Sequence, residues 1–539
     1  MSKLSVLGLG LRCPKQTSQR CLQALRESNQ LFLISDHLDK QAWLSRLNPN
    51  YYNLMVHYGP GKPRRDTYQE MADQVLACLR QGRSAALVSY GHPLVFCDPS
   101  RLAIEQTAQE GFPIDILPGV SSIDCLLADL RVDVLRYGLQ IYEGHDLLLH
   151  AVAVDPRASQ VVFQVPSLGD SGGGWKAGRF RGFIRALAEK LAESFGWDHQ
   201  VVLYFGSNSP DRPTRADRLP LSQLDQAEMV DEYTLWVPPL GYASLPPDLG
   251  PQDAPVDLEL AGYGLSWQDR TQEIVPLLES SQIFSLQALP ELPRTQLIEH
   301  FDQLPAEGNK VVLFPAHPCN SGAVNWARAA HERGWSYRIR PAISWEDGVY
   351  CHVPLDPGLV GFQSFPAHTS LSLPVNMATL LRLPPDPAAQ GLEGARYWGP
   401  RSAFTDNAQP DSLALYLPGP QPRPVENTPF LRALHLSAVE RLVAFLERNQ
   451  HLLSLQKVPS PKMWLHAQLQ MAGREMRQAL QTTDLAQLND GNWADYLLDH
   501  PDHPVAPWLL LRMRCEEALQ SVDAGVSSRP LADWIAENR

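Results

Sequence analysis

The chain repeats itself, and the repeat decides how much of it can be new structure. From Gly111 to His145 it aligns without a gap against residues 334–368, at a constant offset of 223 (334 − 111 = 223). That register pairs Gly111 with Gly334, Pro118 with Pro341, Ser121 with Ser344 and Asp124 with Asp347. It also pairs Asp133 with Asp356, Gly138 with Gly361, Gln140 with Gln363 and His145 with His368. Upstream, "LELAGYGL" at 258–265 echoes "LSVLGLGL" at 4–11, and "LESSQIFSL" at 278–286 echoes "LRESNQLFL" at 25–33. The second half of the chain, from 256 to about 425, therefore reads as a shortened, degenerate duplicate of the first domain.

With 539 residues the chain exceeds a single core and divides into several units. In residues 1–150, "KLSVLGLG", "NQLFLIS", "YYNLMVHY", "SAALVSYG" and "IDILPG" read as strands. They alternate with the helix patterns "TSQRCLQALRES", "TYQEMADQVLACLRQG" and "SRLAIEQTAQEG", which implies an α/β fold with a largely parallel sheet. Residues 151–245 form a second subdomain, with strands in "SQVVFQV", "QVVLYFGS" and "YTLWVPP" and one helix in "FIRALAEKLAESFG". The first domain thus spans 1–245, a Pro-rich linker spans 246–257, and the degenerate repeat spans 258–424. Residues 425–539 carry apolar positions three and four apart and read as helical.

Composition narrows the class of function. Forty-six Lys and Arg against 59 Asp and Glu leave a formal charge of −13. Nucleic acid is excluded as the main partner, because neutralising phosphates needs a basic face, and "KPRRD" at 62–66 is only a local one. No run approaches the roughly eighteen uninterrupted apolar residues that span a bilayer. "LSVLGLGL" reads as a first strand rather than a signal peptide, so the expectation is a cytoplasmic protein with no membrane partner. The eight cysteines show no Cys-x-x-Cys or Cys/His ligand spacing and read as buried small hydrophobes, with no metal. His500 and His503 in "DHPDHPVAP" read as a Pro-rich turn.

Three loops follow strands: "VLGLGL" with Leu9 and Gly10, "SYGHPLVFCDPS" with Tyr90, Gly91, His92, Pro93 and Val95, and "DILPGVSS" with Ser121 and Ser122. The carboxyl edge of an open α/β sheet is where ligands bind. The dinucleotide pattern G-x-G-x-x-G is incomplete, since Pro14 and Lys15 stand where the helix would begin. His92, between Gly and Pro, reads as a residue that shapes its loop by hydrogen bonding; a role as a base is the alternative.

"KPRRDTYQEM", "YGHPLVFCDPS", "LPGVSSIDCLLADL" and "TLWVPPL" resemble, in order, the tetrapyrrole-methylase superfamily of S-adenosylmethionine-dependent methyltransferases, over about residues 3–242. Within it the form Y-G-H-P followed by V-F resembles the borosin branch, which N-methylates peptide backbone amides; many tetrapyrrole C-methyltransferases and diphthine synthases have G-D-P there. The resemblance implies the two-subdomain tetrapyrrole-methylase fold, with S-adenosylmethionine in the cleft between subdomains. It implies cofactor contacts from Leu9, Gly10, Tyr90, Gly91, His92, Pro93, Val95, Ser121 and Ser122, with Gln164, Pro238 and Pro239 closing the adenine side.

Amide nitrogen is a poor nucleophile because its lone pair is delocalised into the carbonyl. Methylating it needs a base for the N–H proton and a stabiliser for an imidate-like oxygen. A tyrosine beside a guanidinium supplies both, since the cation favours the phenolate. By resemblance, Tyr58, Arg64 and Tyr68 fall on the borosin catalytic Tyr, Arg and Tyr positions. A further family tyrosine is Met55 here, leaving open whether Tyr51, Tyr52 or Tyr90 takes over. By spacing alone, Tyr68 with Met71, Val75 and Cys78 reads as core, and Arg64 and Arg65 as a solvated turn.

In the duplicate, "SYGHP" becomes "FPAHP" and "PGVSS" becomes "PAISW". The expectation is a pseudoenzyme repeat without cofactor, because a Cβ and an indole replace open backbone. Since methyltransferases of this superfamily are commonly homodimers, the resemblance implies a homodimer or an intramolecular pseudo-dimer through the second repeat. "GVSSRPLADWIAENR" lacks the run of small apolar residues that borosins methylate in their own C-terminus, so the expected substrate is a separate precursor peptide of a ribosomally made product. The 425–539 region would recognise a leader segment or act as a stabilising appendage. C- or N-methylation of a tetrapyrrole or other small molecule, and a non-catalytic scaffold, are the alternatives.

Overall fold

Apolar runs bounded by turn residues become the strands of a parallel sheet: β1 (Leu4–Gly8), β2 (Gln30–Ile34), β3 (Tyr51–Asn53), β4 (Ala85–Ser89) and β5 (Ile114–Leu117). Their order is β3-β2-β4-β1-β5, and each neighbouring pair runs parallel. All five residues of β4 are buried, as helices on both faces require. The helices Arg64–Arg80 and Asp98–Gln109 supply Met71, Val75, Leu79 and Ala103 to the core around Val6 and Leu87. The computed structural model describes residues 2–59, 64–149, 154–168, 181–209, 211–242 and 254–366. It also describes strands at 378–382, 396–398, 404–405 and 413–416 and positions 177, 178 and 247. The helical expectation for 425–539 and most of the 246–257 linker lie outside those residues.

Three local readings change. "YYNLMVHY" is a strand only through Asn53, whose side chain accepts a 3.0 Å hydrogen bond from the Met55 N–H and starts the 3₁₀ turn Leu54–His57. "LDKQAWLSRL" forms the helix Leu38–Leu47, which its sparse apolar pattern hides because only Leu44 and Lys40 are buried. Strands also form at Leu139–Glu143 and Arg215–Pro220.

The second sheet has ten strands. One half holds β6 (Leu139–Glu143), β7 (Ser159–Phe163), β8 (Gln200–Phe205), β9 (Arg215–Pro220) and β10 (Thr234–Val237), in the order β6-β7-β10-β8-β9. A third sheet is built from β11 (Leu258–Gly262), β12 (Gln282–Ser285), β13 (Gln296–Leu297), β14 (Lys310–Phe314) and β15 (Tyr337–Arg340). Its order, β13-β12-β14-β11-β15, repeats that of the first. The chain then returns to the ten-stranded sheet as β16 (Phe362–Pro366), β17 (Ala378–Arg382), β18 (Arg396–Trp398), β19 (Phe404–Thr405) and β20 (Leu413–Tyr416). The order β16-β17-β20-β18-β19 matches the other half pair by pair, including the direction of each pairing.

The two copies meet where β6 runs antiparallel to β16. Gln140 lies opposite Gln363 and donates from Nε2 to its Oε1 over 3.0 Å. Those two residues are 223 apart, so the sequence offset reappears as a local pseudo-two-fold axis. Near the same axis the helices Ser122–Leu130 and Trp345–His352 begin with matching capping boxes, Ser121 with Asp124 and Ser344 with Asp347. The carboxyls of Asp124 and Asp347, each 1% exposed, hydrogen-bond to one another across the boundary. Leu11, Val120 and Cys125 of the first copy pack with Ile343 and Leu265 of the second.

Two buried carboxyls in contact cannot both ionise cheaply, so the pair keeps a proton. Burial raises Asp124 to about 6, against hydrogen bonds from Asp347 and Ser121 that lower it. Burial and the adjacent Asp124 charge push Asp347 well above the ordinary carboxyl range, making it the donor. Both folded pKa values exceed the unfolded ones. The stability they contribute is therefore full below about pH 4 and is lost as pH rises through 6 and beyond. Asp347→Asn keeps a donor but removes the titration. Its melting temperature should change less than wild type between pH 5 and 8, and should equal or exceed wild type above pH 7; a steeper fall than wild type would refute the shared proton.

Candidate active site

Three loops leave the carboxyl ends of β1, β4 and β5 and converge on glycines. A Cβ on Gly119 would stand 2.4 Å from the Gly91 carbonyl oxygen and 2.7 Å from the Gly8 backbone, so no side chain fits between them. Gly10 and Gly91 exchange backbone hydrogen bonds, 3.2 Å from Gly10 N to Gly91 O and 3.0 Å in return. Gly91 sits at φ +67°, and a Cβ there would meet nothing within 4 Å. The loops are thus locked together by close backbone contact while one face of Gly91 is left open, as a cradle for a bound group requires.

The neighbouring side chains divide by the side they face. Tyr90 is 45% exposed, and its ring stands edge-on to His37 at 6.4 Å. Pro93 is buried and Val95 half-buried along the same loop. Leu9 is fully buried among Leu7, Cys21 and Val88; its N–H donates to Ser89 and its carbonyl accepts from Thr17 Oγ1. Ser121 spends its hydroxyl and N–H on Asp124, whereas Ser122 is half-buried at the first turn of the helix.

His92 turns away from the cleft. It is 2% exposed, its Nδ1 accepts from the Leu94 N–H at 3.1 Å, and its Nε2 reaches the Asp347 backbone carbonyl and Cys351 Sγ (3.4 Å). Burial lowers its pKa to about 3, so it is neutral and its second nitrogen donates to the second copy. His317 does the reverse, with Nε2 3.0 Å from the Asp124 carbonyl and Nδ1 accepting from the Cys319 N–H. The histidine is architectural, and its partner is the repeat rather than its own loop alone.

The second subdomain closes the cleft from across. Tyr204 donates to Asp129 over 2.7 Å, and the buried Lys40 ammonium donates to the Asn208 carbonyl. Phe163 at the end of β7 stacks on Phe96 with centroids 4.3 Å apart, placing the exposed Gln164, at φ 62°, beside the second loop. Pro238 and Pro239 do not join it. In the register of β10 against β7, Val237 lies opposite Gln160, so the two prolines follow at the end of β7 remote from Gln164. That separation is a full strand, about 3.4 Å per residue over five residues. The end of β10 that reaches the cleft is Thr234, opposite Tyr204, and β8 runs out at Gly206 against Leu11. Thr234 and Gly206 were not singled out by sequence; the only hint for Gly206 was "YFGS", a glycine directly after an apolar strand.

Tyr58 follows the 3₁₀ turn and is 42% exposed. Its ring meets that of Tyr68 edge-on at 6.3 Å, and it lies close enough to Tyr90 for a charge on one to be felt by the other. Tyr68, one turn into the helix Arg64–Arg80, packs on the core with one face, as its spacing implied, while the other meets Tyr58. Arg64 opens that helix; its side chain lies outside the described residues. Met55 packs on the core. Tyr51 rests on the cluster beneath β2, and Tyr52 is 38% exposed beside His57, centroids 5.9 Å apart. Two tyrosine rings and the open face of Gly91 thus share one end of the sheet. Among the described residues, no group of three potential metal ligands comes together.

The family model for Tetrapyrrole (Corrin/Porphyrin) Methylases matches residues 3–204. A methyltransferase/ribosomally synthesized type II borosin cyclic peptide precursor of Phlebiopsis gigantea is 32% identical over 246 residues, 45% of this chain and 44% of its own. A type III borosin precursor of Anomoporia bombycina is 34% identical over 226 residues, covering 41% and 26%. The omphalotin A precursor of Omphalotus olearius is 30% identical over 244 residues, covering 44% and 57%. This chain therefore spans less than two thirds of the length of each.

The glycine geometry makes a stability prediction. Gly119→Ala drives a methyl into backbone and should lower the melting temperature strongly, with a loss of several kcal/mol of the overpacking kind. Gly91→Ala adds only left-handed strain, about 1–2 kcal/mol. Equal destabilisation in thermal melts would contradict the packing described.

Proposed function

We propose that this chain, whose residues 3–204 are a tetrapyrrole methylase domain, is an S-adenosylmethionine-dependent methyltransferase that N-methylates backbone amides of a peptide supplied in trans. The observation that carries the reading is the placement of the Tyr58–Tyr68 pair beside a glycine-lined opening at Gly91. Three relatives named as methyltransferase and cyclic peptide precursor, two of them borosins, support the substrate class. Beyond the region they match, the described chain continues into the second copy.

When bound, S-adenosylmethionine supplies a methyl group made electrophilic by its sulfonium. Gly10, Gly91, Pro93, Val95, Ser122 and Gln164 would hold it, mainly through backbone and apolar contact, with Tyr90 over the open side. A tyrosine of the Tyr58–Tyr68 pair takes the amide proton onto its phenolate oxygen. Arg64 favours that phenolate and holds the negative oxygen that the amide develops, so the nitrogen lone pair becomes available. Met55 removes one family tyrosine, and the exposed Tyr52 and Tyr90 are the groups placed to replace it.

The second copy is read as unable to take the cofactor. Its loops keep the backbone of the first, with Ala316 N–H donating to Gly264 O at 2.9 Å as Gly91 does to Gly10. But Ala316 stands at φ 52° with its methyl fully buried, in the place that Gly91 leaves open. Ala342 fills the second glycine position, and Trp345 stands at the start of its helix. Calorimetry with S-adenosylhomocysteine should give one site per chain.

The function is tested by incubating the full chain with S-adenosylmethionine and the product of any short reading frame that neighbours its gene, followed by fragmentation mass spectrometry. Methyl groups should lie on backbone amides of the added peptide. Tyr58→Phe, Tyr68→Phe or Arg64→Ala should each slow turnover by about 10²–10⁴-fold, the range for acid–base groups, with cofactor affinity unchanged. Methyl groups on side chains, or turnover of a tetrapyrrole instead, would overturn the reading. Methylation of the chain's own segments would place the substrate in cis.

A further inference from the structure

The second loop of the cleft is held in a strained shape by the other copy. Phe96 has φ 55°, a left-handed conformation that a bulky residue adopts only when its surroundings impose it. Its N–H donates over 3.2 Å to Asp356 Oδ1, a carboxylate 260 residues away in the repeat. Asp356 is 5% exposed and also accepts from the backbone N–H groups of Gly358 (2.9 Å) and Cys97. The Phe96 ring is wedged between Phe163 and Gly358, where a Cβ on Gly358 would stand 2.4 Å from the ring. His92 fixes the other end of the loop on the Asp347 carbonyl, edge-on to Tyr350 at 5.8 Å.

The arrangement is not reciprocal. By the offset of the two histidines (317 − 92 = 225), the counterpart of Phe96 is Ser321, which has an ordinary φ of −129°. The counterpart of Asp356 is Asp133, whose carboxylate accepts from the Arg136 N–H of its own helix over 3.1 Å. Both copies keep the aspartate, but the strained residue it restrains is found on the side with the open glycine.

We propose that Asp356 is a positioning residue for the cofactor loop: the repeat acts across the boundary between the copies on residues 90–97, setting the cleft that binds S-adenosylmethionine. This rests on the reading above for the identity of the cofactor, though not for the restraint itself. Asp356 touches neither cofactor nor substrate; it acts through the Phe96 N–H.

The test uses the full chain and two readouts. In Asp356→Ala, amide hydrogen exchange at residues 94–97 should quicken at least tenfold, and affinity for S-adenosylhomocysteine should fall about tenfold or more. Asp356→Asn keeps an acceptor oxygen and should restore both. Asp133→Ala, at the equivalent place in the first copy, should lower the melting temperature comparably while leaving loop exchange and affinity unchanged. If exchange at 94–97 is the same in Asp356→Ala and Asp133→Ala, the restraint is refuted whatever the cofactor. If exchange quickens and affinity does not fall, the restraint stands and its role in cofactor binding is refuted. If exchange quickens in Asp356→Ala but the wild-type protein binds no S-adenosylhomocysteine, the cofactor reading is overturned instead.

Discussion

The antiparallel meeting of β6 and β16 is the contact on which the rest of the molecule depends. It joins two five-stranded halves into one sheet, and it fixes the register by setting Gln140 against Gln363. A slip of one residue would turn every side chain of the central strands to the opposite face. The same axis brings two helix starts together, so that two capping aspartates face each other and two histidines cross to the opposite helix. Each of these groups is buried and partnered, so none tolerates loss of its mate without leaving a desolvated polar atom.

That boundary also shapes the cleft. All three loops that converge on Gly91 rest on the repeat: the first through Leu11 against Ile343 and Leu265, the second through His92 and Phe96, the third through Val120 and Asp124. The cleft is thus a product of both copies although its open glycine lies in one. In the second copy Ala316 and Ala342 stand at the positions of Gly91 and Gly119, both fully buried, with the Ala342 methyl against Gly262.

Much of this was legible in the residues. The offset of 223 was readable because it needed only identities at fixed spacing, and it marks the residues at the axis: Ser121, Asp124, Gln140 and their counterparts. The parallel strands were readable because burial on both faces leaves unbroken apolar runs. The helix Leu38–Leu47 was not, since it buries little more than Leu44 and a lysine. The loops of the site were visible as glycine turns, but the direction in which each side chain leaves a loop was not. His92 looked like a loop former and is one, yet the partner it needs is 255 residues away (347 − 92 = 255). Pro238 and Pro239 were misplaced because a motif next to a strand does not say which end of that strand faces the cleft. Strand direction is a property of the sheet.

Covalent linkage changes what such an interface can become. In a symmetric pair of identical chains, every restraint applied by one copy is returned by the other, so a strained residue such as Phe96 would appear twice or not at all. Two copies on one chain escape that condition while keeping the partner at high effective concentration. Here the escape is visible residue by residue. The aspartate is kept at 133 and 356, where each caps the short helix that follows it, and the histidine at 92 and 317, where each crosses to the opposite helix. The glycine becomes alanine and the strained phenylalanine becomes serine on one side only. The positions that stay alike cap helices or shape loops in both copies, and the two pairs that differ, Gly91 with Ala316 and Phe96 with Ser321, lie in the loop after β4 and its counterpart after β14.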